Sequence, residues 1–230
     1  MSSLDGRLGL PGVLLLYGEE RWSAIGGNEF TDMWSLHEPQ VQLEGSNSFV
    51  PREALGADLP PAPSGVDLHN THFLPEEIVT PGRRFFAVVD SRGRVRWTQK
   101  IGEHEEHLLI LVSKGTPSSY LAFLRKEAIP YLVAGRDRVD LPRAFELLHF
   151  HLGVTTVVAT GGGLLNGTLL RAGVVNEVDI DFLPAIIGGG GAPMLFDGAP
   201  LGPEEIPARL TPIVVQQKPS GGIFVRYAVQ

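Results

Sequence analysis

From Arg84 to Val158 the chain alternates short apolar runs with polar turns and helix-length amphipathic stretches. Phe85-Phe86-Ala87-Val88-Val89 and Leu108-Leu109-Ile110-Leu111-Val112 are apolar at every position and end in turn residues, the pattern of strands buried on both faces. The spacing predicts a helix over Ser118 to Ile129 and a strand at Tyr131-Leu132-Val133. A second helix is predicted over Leu141 to Leu152, capped by Asp140 with Pro142 in its first turn. Val154-Thr155-Thr156-Val157-Val158 then reads as a strand that feeds a glycine turn, and a helical pattern follows directly. Strands that alternate with helices of this length imply crossover units: a largely parallel sheet with helices on both faces and ligands at the carboxyl ends of its strands.

The two ends of the chain are written differently. Glu177-Val178-Asp179-Ile180-Asp181-Phe182 alternates, and Arg209 to Val214 and Gly222 to Ala228 read as two more strands joined through Lys218-Pro219-Ser220-Gly221, an antiparallel finish. Before Gly82 the pattern is broken by Pro60-Pro61-Ala62-Pro63-Ser64-Gly65 and Thr80-Pro81-Gly82. Between these breaks lie an apolar run at Val13-Leu14-Leu15-Leu16-Tyr17, a short helix over Phe30 to His37 and a strand at Val41-Gln42-Leu43. The fold class expected is α/β, with a central mixed, mostly parallel sheet flanked by helices, in a single domain over residues 1–230.

Composition narrows the function. At 43% apolar and 20% charged residues the chain is ordinary for a globular protein, and it has no apolar run of membrane-spanning length. The first seven residues carry an acid and lack the basic start of a secretory signal. The absence of cysteine excludes disulfides, thiolate catalysis and sulfur-built zinc sites, and fits a reducing compartment, the cytoplasm. A net charge of −7 with scattered basic residues disfavours nucleic acid, so an anionic ligand must be met by local donors.

Such donors are available at Ala159-Thr160-Gly161-Gly162-Gly163-Leu164-Leu165-Asn166-Gly167-Thr168. A turn without Cβ atoms at the start of a helix lets a diphosphate approach backbone N–H groups at the positive end of the helix dipole. Glycines also form tight turns and close helix–sheet contacts, so spacing alone leaves both readings open. Two histidine pairs three residues apart, His69 with His72 and His104 with His107, offer donors to zinc or nickel, but neither has the zinc-protease pattern and no physiological metal is assigned. His149 and His151 lie two apart in a predicted helix and face different ways.

Gly161 to Glu177, followed by Leu183-Pro184-Ala185-Ile186-Ile187-Gly188-Gly189-Gly190-Gly191, resembles the signature of the reductase domain of riboflavin biosynthesis, a family with the dihydrofolate reductase fold. Ser3-Leu4-Asp5-Gly6-Arg7, Gly18-Glu19-Glu20-Arg21-Trp22 and Val88-Val89-Asp90-Ser91-Arg92-Gly93-Arg94 match in the same order. The resemblance implies hydride transfer from NADPH to the ribose carbon of an amino-pyrimidine ribosyl phosphate, giving a ribityl group. By motif position Gly161, Gly162, Gly163, Leu164, Leu165, Asn166, Gly167 and Thr168 would hold the cofactor diphosphate, and Trp22 and Ser91 would line the rest of its site. Ser48 stands where the family has a cofactor-binding threonine. Asp5 is the motif carboxylate expected to face substrate and serve catalysis, and Glu20 would reach the substrate beside Trp22. Ser113 and Lys114 end a strand where this fold meets the adenosine 2′-phosphate, which favours NADPH; a solvated turn is the other reading. Arg92 and Arg94 are weaker candidates for the same phosphate, and Gly188 to Gly191 are assigned no chemistry. A homodimer is implied by the resemblance alone.

The sequence departs from the family in three places. Only Met1 and Ser2 precede Ser3 where relatives have a full strand, which leaves open a truncated or misassigned start and an incomplete edge. Thr160 replaces a substrate-binding glutamate, and His37 stands where relatives place a leucine–arginine pair that meets phosphate. These substitutions leave open a pterin reductase of the same fold, such as one acting on dihydrofolate, and a non-catalytic NADPH-binding protein. The deaminase that often accompanies this domain needs a histidine and two cysteines on zinc, so deamination is assigned to another protein.

Overall fold

The computed structural model of the chain describes residues 1–10, 20–49, 59–102 and 104–230, and nine strands and five helices are found among them. The apolar run at Val13 to Tyr17 and the dipeptide Gly18-Glu19 lie outside the described residues, as do the side chains of Glu20 and Trp22. Where the sequence suggests one domain, the described residues cluster into two compact units, one of residues 1–36 and 162–230 and one of residues 37–161.

The 37–161 unit is a five-stranded parallel sheet. Its strands are β2 (Val41–Gly45), β3 (Phe85–Val89), β4 (His107–Val112), β5 (Tyr131–Val133) and β6 (Val157–Ala159), in the spatial order β5-β4-β3-β2-β6. The chain walks outward from β2 to β5 and then returns to lay β6 on the opposite side of β2, which makes the carboxyl ends of β2 and β6 the point where strand order reverses.

Parallel pairing with crossovers buries both faces, and β4 accordingly is buried at all six positions. On one face Val88, Leu108, Ile110 and Val112 pack with Tyr120, Leu121 and Leu124 of α3 (Ser118–Lys126). On the other, Leu43, Ala87, Leu109 and Leu111 are fully buried. Helix α4 (Leu141–Leu152) buries Leu141, Ala144, Leu147 and Leu148. It begins as its sequence predicts: Asp140 is extended, its carboxylate accepts from the Arg143 N–H at 3.1 Å, and a proline occupies the first turn. Helix α3 is shorter than its pattern suggests. Ala128 turns to φ 53°, and the Ile129 N–H closes on the Leu124 carbonyl, so the apolar residues up to Ile129 seal the core from outside the helix.

The second unit carries a four-stranded mixed sheet in the order β1-β7-β9-β8. Here β1 (Ser2–Ser3) runs parallel to β7 (Glu177–Leu183), and β9 (Ile223–Val229) is antiparallel to both β7 and β8 (Leu210–Gln217). The antiparallel finish matches the sequence reading, but β8 runs three residues further than the pattern shows, with a register irregularity between Pro212 and Val214. Helix α5 (Gly163–Arg171) follows the glycine turn, while α1 (Glu20–Ser23) and α2 (Met33–His37) are single turns. No helix among the described residues is long and apolar enough to cross a membrane.

The α4 cap gives a direct test. Asp140→Ala should lower unfolding free energy by about 1 kcal/mol in urea titration, with the slope against denaturant unchanged.

Candidate functional site

Strand β2 alternates in a way its neighbours do not. Val41 and Leu43 are buried toward one side, and Gln42 and Glu44 share the other side with Phe86 and Val88, their register partners on β3. Thr160, just past β6, joins the two polar residues: Gln42 Nε2 donates to Thr160 Oγ1 at 2.8 Å, and Thr160 Oγ1 donates to Glu44 Oε1 at 2.7 Å. Ser48 donates more loosely to Glu44 Oε2 at 3.4 Å. Burial pushes the Glu44 carboxyl above its ordinary value, and the hydroxyls of Thr160 and Ser48 oppose the shift only in part. A polar row therefore lies at the strand-order reversal of the sheet.

The ends of β3 and β4 are organised by structural turns. Asp90 is buried and accepts from the N–H groups of Arg94 and Val95, while the Arg94 guanidinium donates to Ser46 Oγ at 2.8 Å and Asn47 Oδ1 at 2.5 Å. Arg94 thus ties the loop after β2 to the loop after β3. Ser91 Oγ accepts from the Val139 N–H, and its carbonyl accepts from Thr116 Oγ1. Ser113 is fully buried with its backbone N–H on Thr116 Oγ1, whereas Lys114 is exposed. Of the pair singled out in the sequence, only the lysine faces solvent.

In the other unit, α5 opens at Gly162, which is extended and makes no side-chain cap. The glycines here do different work. A Cβ at Gly162 would meet no described atom within 4 Å, which leaves room for a ligand. At Gly163 and Gly167 a Cβ would collide with the carbonyl oxygens of Met194 and Asp197. These two are glycine because the 194–197 loop lies directly on the helix. The same loop takes the Asn166 side chain, which donates to the Leu195 carbonyl at 3.0 Å, and Thr168 donates back to the Leu164 carbonyl. The side chains of Asn166 and Thr168 are engaged within the unit, which leaves the opening backbone N–H groups of the first turn without an intrahelical acceptor.

Asp5 is held from three sides. Ser3 Oγ donates to it at 2.7 Å, and the N–H groups of Ile187 and Gly188 donate at 3.1 and 2.9 Å. These hydrogen bonds lower its pKa to about 2, the Ser3 hydroxyl contributing most. Arg7 donates to the carbonyls of Ala192 and Gly189. The Ser3-Leu4-Asp5-Gly6-Arg7 motif is thus a clamp on the 187–192 loop, whose Gly188, Gly189 and Gly191 need their left-handed φ of 67°, 68° and 90°.

The histidine pairs are taken up elsewhere. His69 Nε2 lies 2.7 Å from Ser118 Oγ, His72 Nδ1 accepts from the Val133 N–H, and His107 is buried at the start of β4. Among the described residues no three His, Cys, Asp or Glu side chains converge as metal ligands. His37 ends α2, half-buried.

The RibD C-terminal domain family matches residues 75–219, more than half of the chain. The chain belongs to this family. Similar proteins include the 2,5-diamino-6-ribosylamino-4(3H)-pyrimidinone 5′-phosphate reductases of Methanothermobacter thermautotrophicus, 39% identical over 111 residues, and Archaeoglobus fulgidus, 37% identical over 111 residues. Each alignment covers 48% of this chain and 50% of the relative, so the chain spans about half the length of the curated relatives it matches. A pyrimidine reductase-like protein from Corynebacterium diphtheriae superposes with a TM-score of 0.66 at 18% identity, covering 100% of this chain and 89% of that one. Acinetobacter baumannii RibD gives 0.60 at 16% identity, covering 100% and 56%. These likenesses establish the fold of this RibD C-terminal domain as dihydrofolate reductase-like.

Sequence reasoning missed Glu44 in this domain. The signal was present: Gln42 and Glu44 two apart in a strand of a parallel sheet, where an apolar run is the rule. The glycine geometry yields a paired test. Gly167→Ala should destabilise the fold by about 1–3 kcal/mol through overpacking, and Gly162→Ala should leave the thermal midpoint nearly unchanged.

Proposed function

We propose that the chain is an NADPH-dependent reductase that converts the ribosyl group of a 6-ribosylamino-pyrimidine 5′-phosphate to ribityl. The observation that carries this reading is the RibD C-terminal domain match, which includes an uncapped helix N-terminus with open space at Gly162. Relatives named as reductases of that pyrimidine support the substrate. The uncapped first turn of α5 fits a nucleotide diphosphate by its chemistry, with N–H donors and no Cβ in the way.

In this reading the amides of Gly162, Gly163 and Leu164 hold the cofactor diphosphate, with Gly161 before them and Leu165 to Thr168 keeping the helix in place. Lys114 supplies the cation for a 2′-phosphate. Ser91, Ser48 and Trp22 complete the cofactor residues, while Glu20, His37 and Thr160 belong to the substrate side. Ser113 contributes through its turn, since its hydroxyl is buried. Asp5, ionised at neutral pH, orients donors through the 187–188 amides and carries no proton. The bound cofactor supplies a hydride, and the protein supplies position and electrostatics. The cysteine-free composition fits work in the reducing cytoplasm.

A homodimer is part of the proposal. β8 is an edge strand whose Leu210, Ile213 and Val215 are 45%, 49% and 66% exposed, an apolar edge that a second copy would cover. Light scattering should give twice the chain mass, and Ile213→Lys should shift it toward the single chain; a wild-type monomer at micromolar concentration would contradict this.

The activity is tested by the loss of reduced-nicotinamide absorbance when purified protein and NADPH meet the diaminated or the deaminated ribosylamino-pyrimidine phosphate. Turnover of one of them is expected. Consumption of dihydrofolate alone would move the chain to pterin chemistry, and NADPH binding without turnover of any substrate would make it a binding protein.

A further inference from the structure

The apolar face that α3 covers does not continue across the whole sheet. It runs over β5, β4 and β3 and stops at β2, where Gln42 and Glu44 stand beside Phe86 and Val88. Placing a carboxyl on a strand paired on both sides is costly unless its polar atoms are met. Among the described residues they are met by hydroxyls: Thr160 on Oε1 and, at longer range, Ser48 on Oε2. Arg94 of the loop after β3 is committed to Ser46 and Asn47 and lies beside Asp90. The register partner on β3 is Val88, and Gln42 Nε2 donates to the Thr160 hydroxyl that in turn donates to the carboxyl. Burial on a strand paired on both sides is what keeps a proton on this acid, and the two hydroxyls, which favour the carboxylate, offset it only in part. Asp5 shows the opposite arrangement, with two backbone amides and a hydroxyl that keep it ionised.

We propose that Glu44 is the catalytic acid of this domain, touching the substrate at the carboxyl ends of β2 and β6 and giving up its Oε2 proton during reduction, with Thr160 as the residue that positions it. The proposal rests on the functional reading above. As the C1′–O4′ bond of the ribosylamine opens, O4′ gains a proton and the exocyclic nitrogen loses one, leaving a C1′=N imine. When C1′ accepts hydride, the π pair moves to nitrogen, the Glu44 O–H bond breaks, and nitrogen takes that proton. The product is the secondary amine of the ribityl chain. Glu44 is left as a carboxylate, held by the Thr160 and Ser48 hydroxyls, and regains a proton from water.

The full chain carrying Glu44→Gln, Glu44→Asp or Thr160→Val tests this against wild type with the same pyrimidine phosphates. For E44Q, kcat should fall by about 100-fold or more, with KM for the pyrimidine and affinity for NADPH each within about threefold; E44D should recover part of the rate. Wild-type kcat should decline as pH rises and Glu44 loses its proton. T160V, which removes a hydroxyl that favours the carboxylate, should move that decline to higher pH.

A readout on the protein without ligands comes from thermal unfolding. Glu44 binds its proton more tightly folded than unfolded, so its share of stability is complete below the ordinary value of 4.5 and is lost as pH rises through its raised folded value. The thermal midpoint of E44Q should therefore gain on wild type as pH rises. Wild-type turnover with E44Q within threefold in kcat, or a midpoint gap that does not change with pH, overturns the role of Glu44 alone. Failure of wild type to reduce either pyrimidine overturns the functional reading itself and the reaction assigned to Glu44 with it.

Discussion

Parallel pairing of β2 with β3 on one side and β6 on the other is the interaction on which the site's geometry rests. Parallel strands demand crossovers, and crossovers bring every loop of functional interest to the same end of the sheet. Thr160, Ser46 to Ser48, Asp90 to Arg94 and Ser113 to Thr116 all follow strands at that end. The return of the chain to lay β6 beside β2 opens the strand-order reversal, and Gln42, Thr160 and Glu44 fill it with polar groups that the rest of the sheet lacks. On the face covered by α3 the core is built from β3, β4, β5 and α3, so that face of β2 carries polar groups while Val41 and Leu43 are buried on the other.

The unit of residues 1–36 and 162–230 is held by a different device. Its motif residues are in mutual contact: Asp5 and Arg7 grip the glycine loop at 187–192, the Gly6 carbonyl accepts from the Leu195 N–H, and the 194–197 loop lies on Gly163 and Gly167 of α5. Three stretches far apart in sequence therefore depend on one another through backbone hydrogen bonds and close approach. Side chains at Gly163 or Gly167 would push that loop away, and neutralising Asp5 would release two amides of the 187–188 segment.

What the sequence revealed and what it hid follow from the range of the forces involved. The apolar runs at Phe85 to Val89 and Leu108 to Val112, the Asp140 cap and the alternation of Glu177 to Phe182 are local signals, and the elements stand where those signals place them. The end of α3 was misjudged because Ile129 is apolar for the core and not for a helix face. The glycine turn was legible as strand, turn and helix, but which glycines serve packing and which has open space beside it depends on a loop thirty residues later. Asp5 drew notice as a motif carboxylate, yet its low pKa comes from amides at Ile187 and Gly188. Glu44 escaped because its strand was read only to Leu43, although its spacing from Gln42 was in plain view.

The proposed function turns on the backbone amides that open α5 as the place where the cofactor diphosphate is held. The most direct measurement is a backbone amide chemical-shift map of the isotope-labelled chain titrated with NADPH. The largest changes are expected on Gly162 to Leu164. Unchanged signals there, with the changes centred instead on the amino ends of the parallel strands near Thr80 to Phe85, would contradict it.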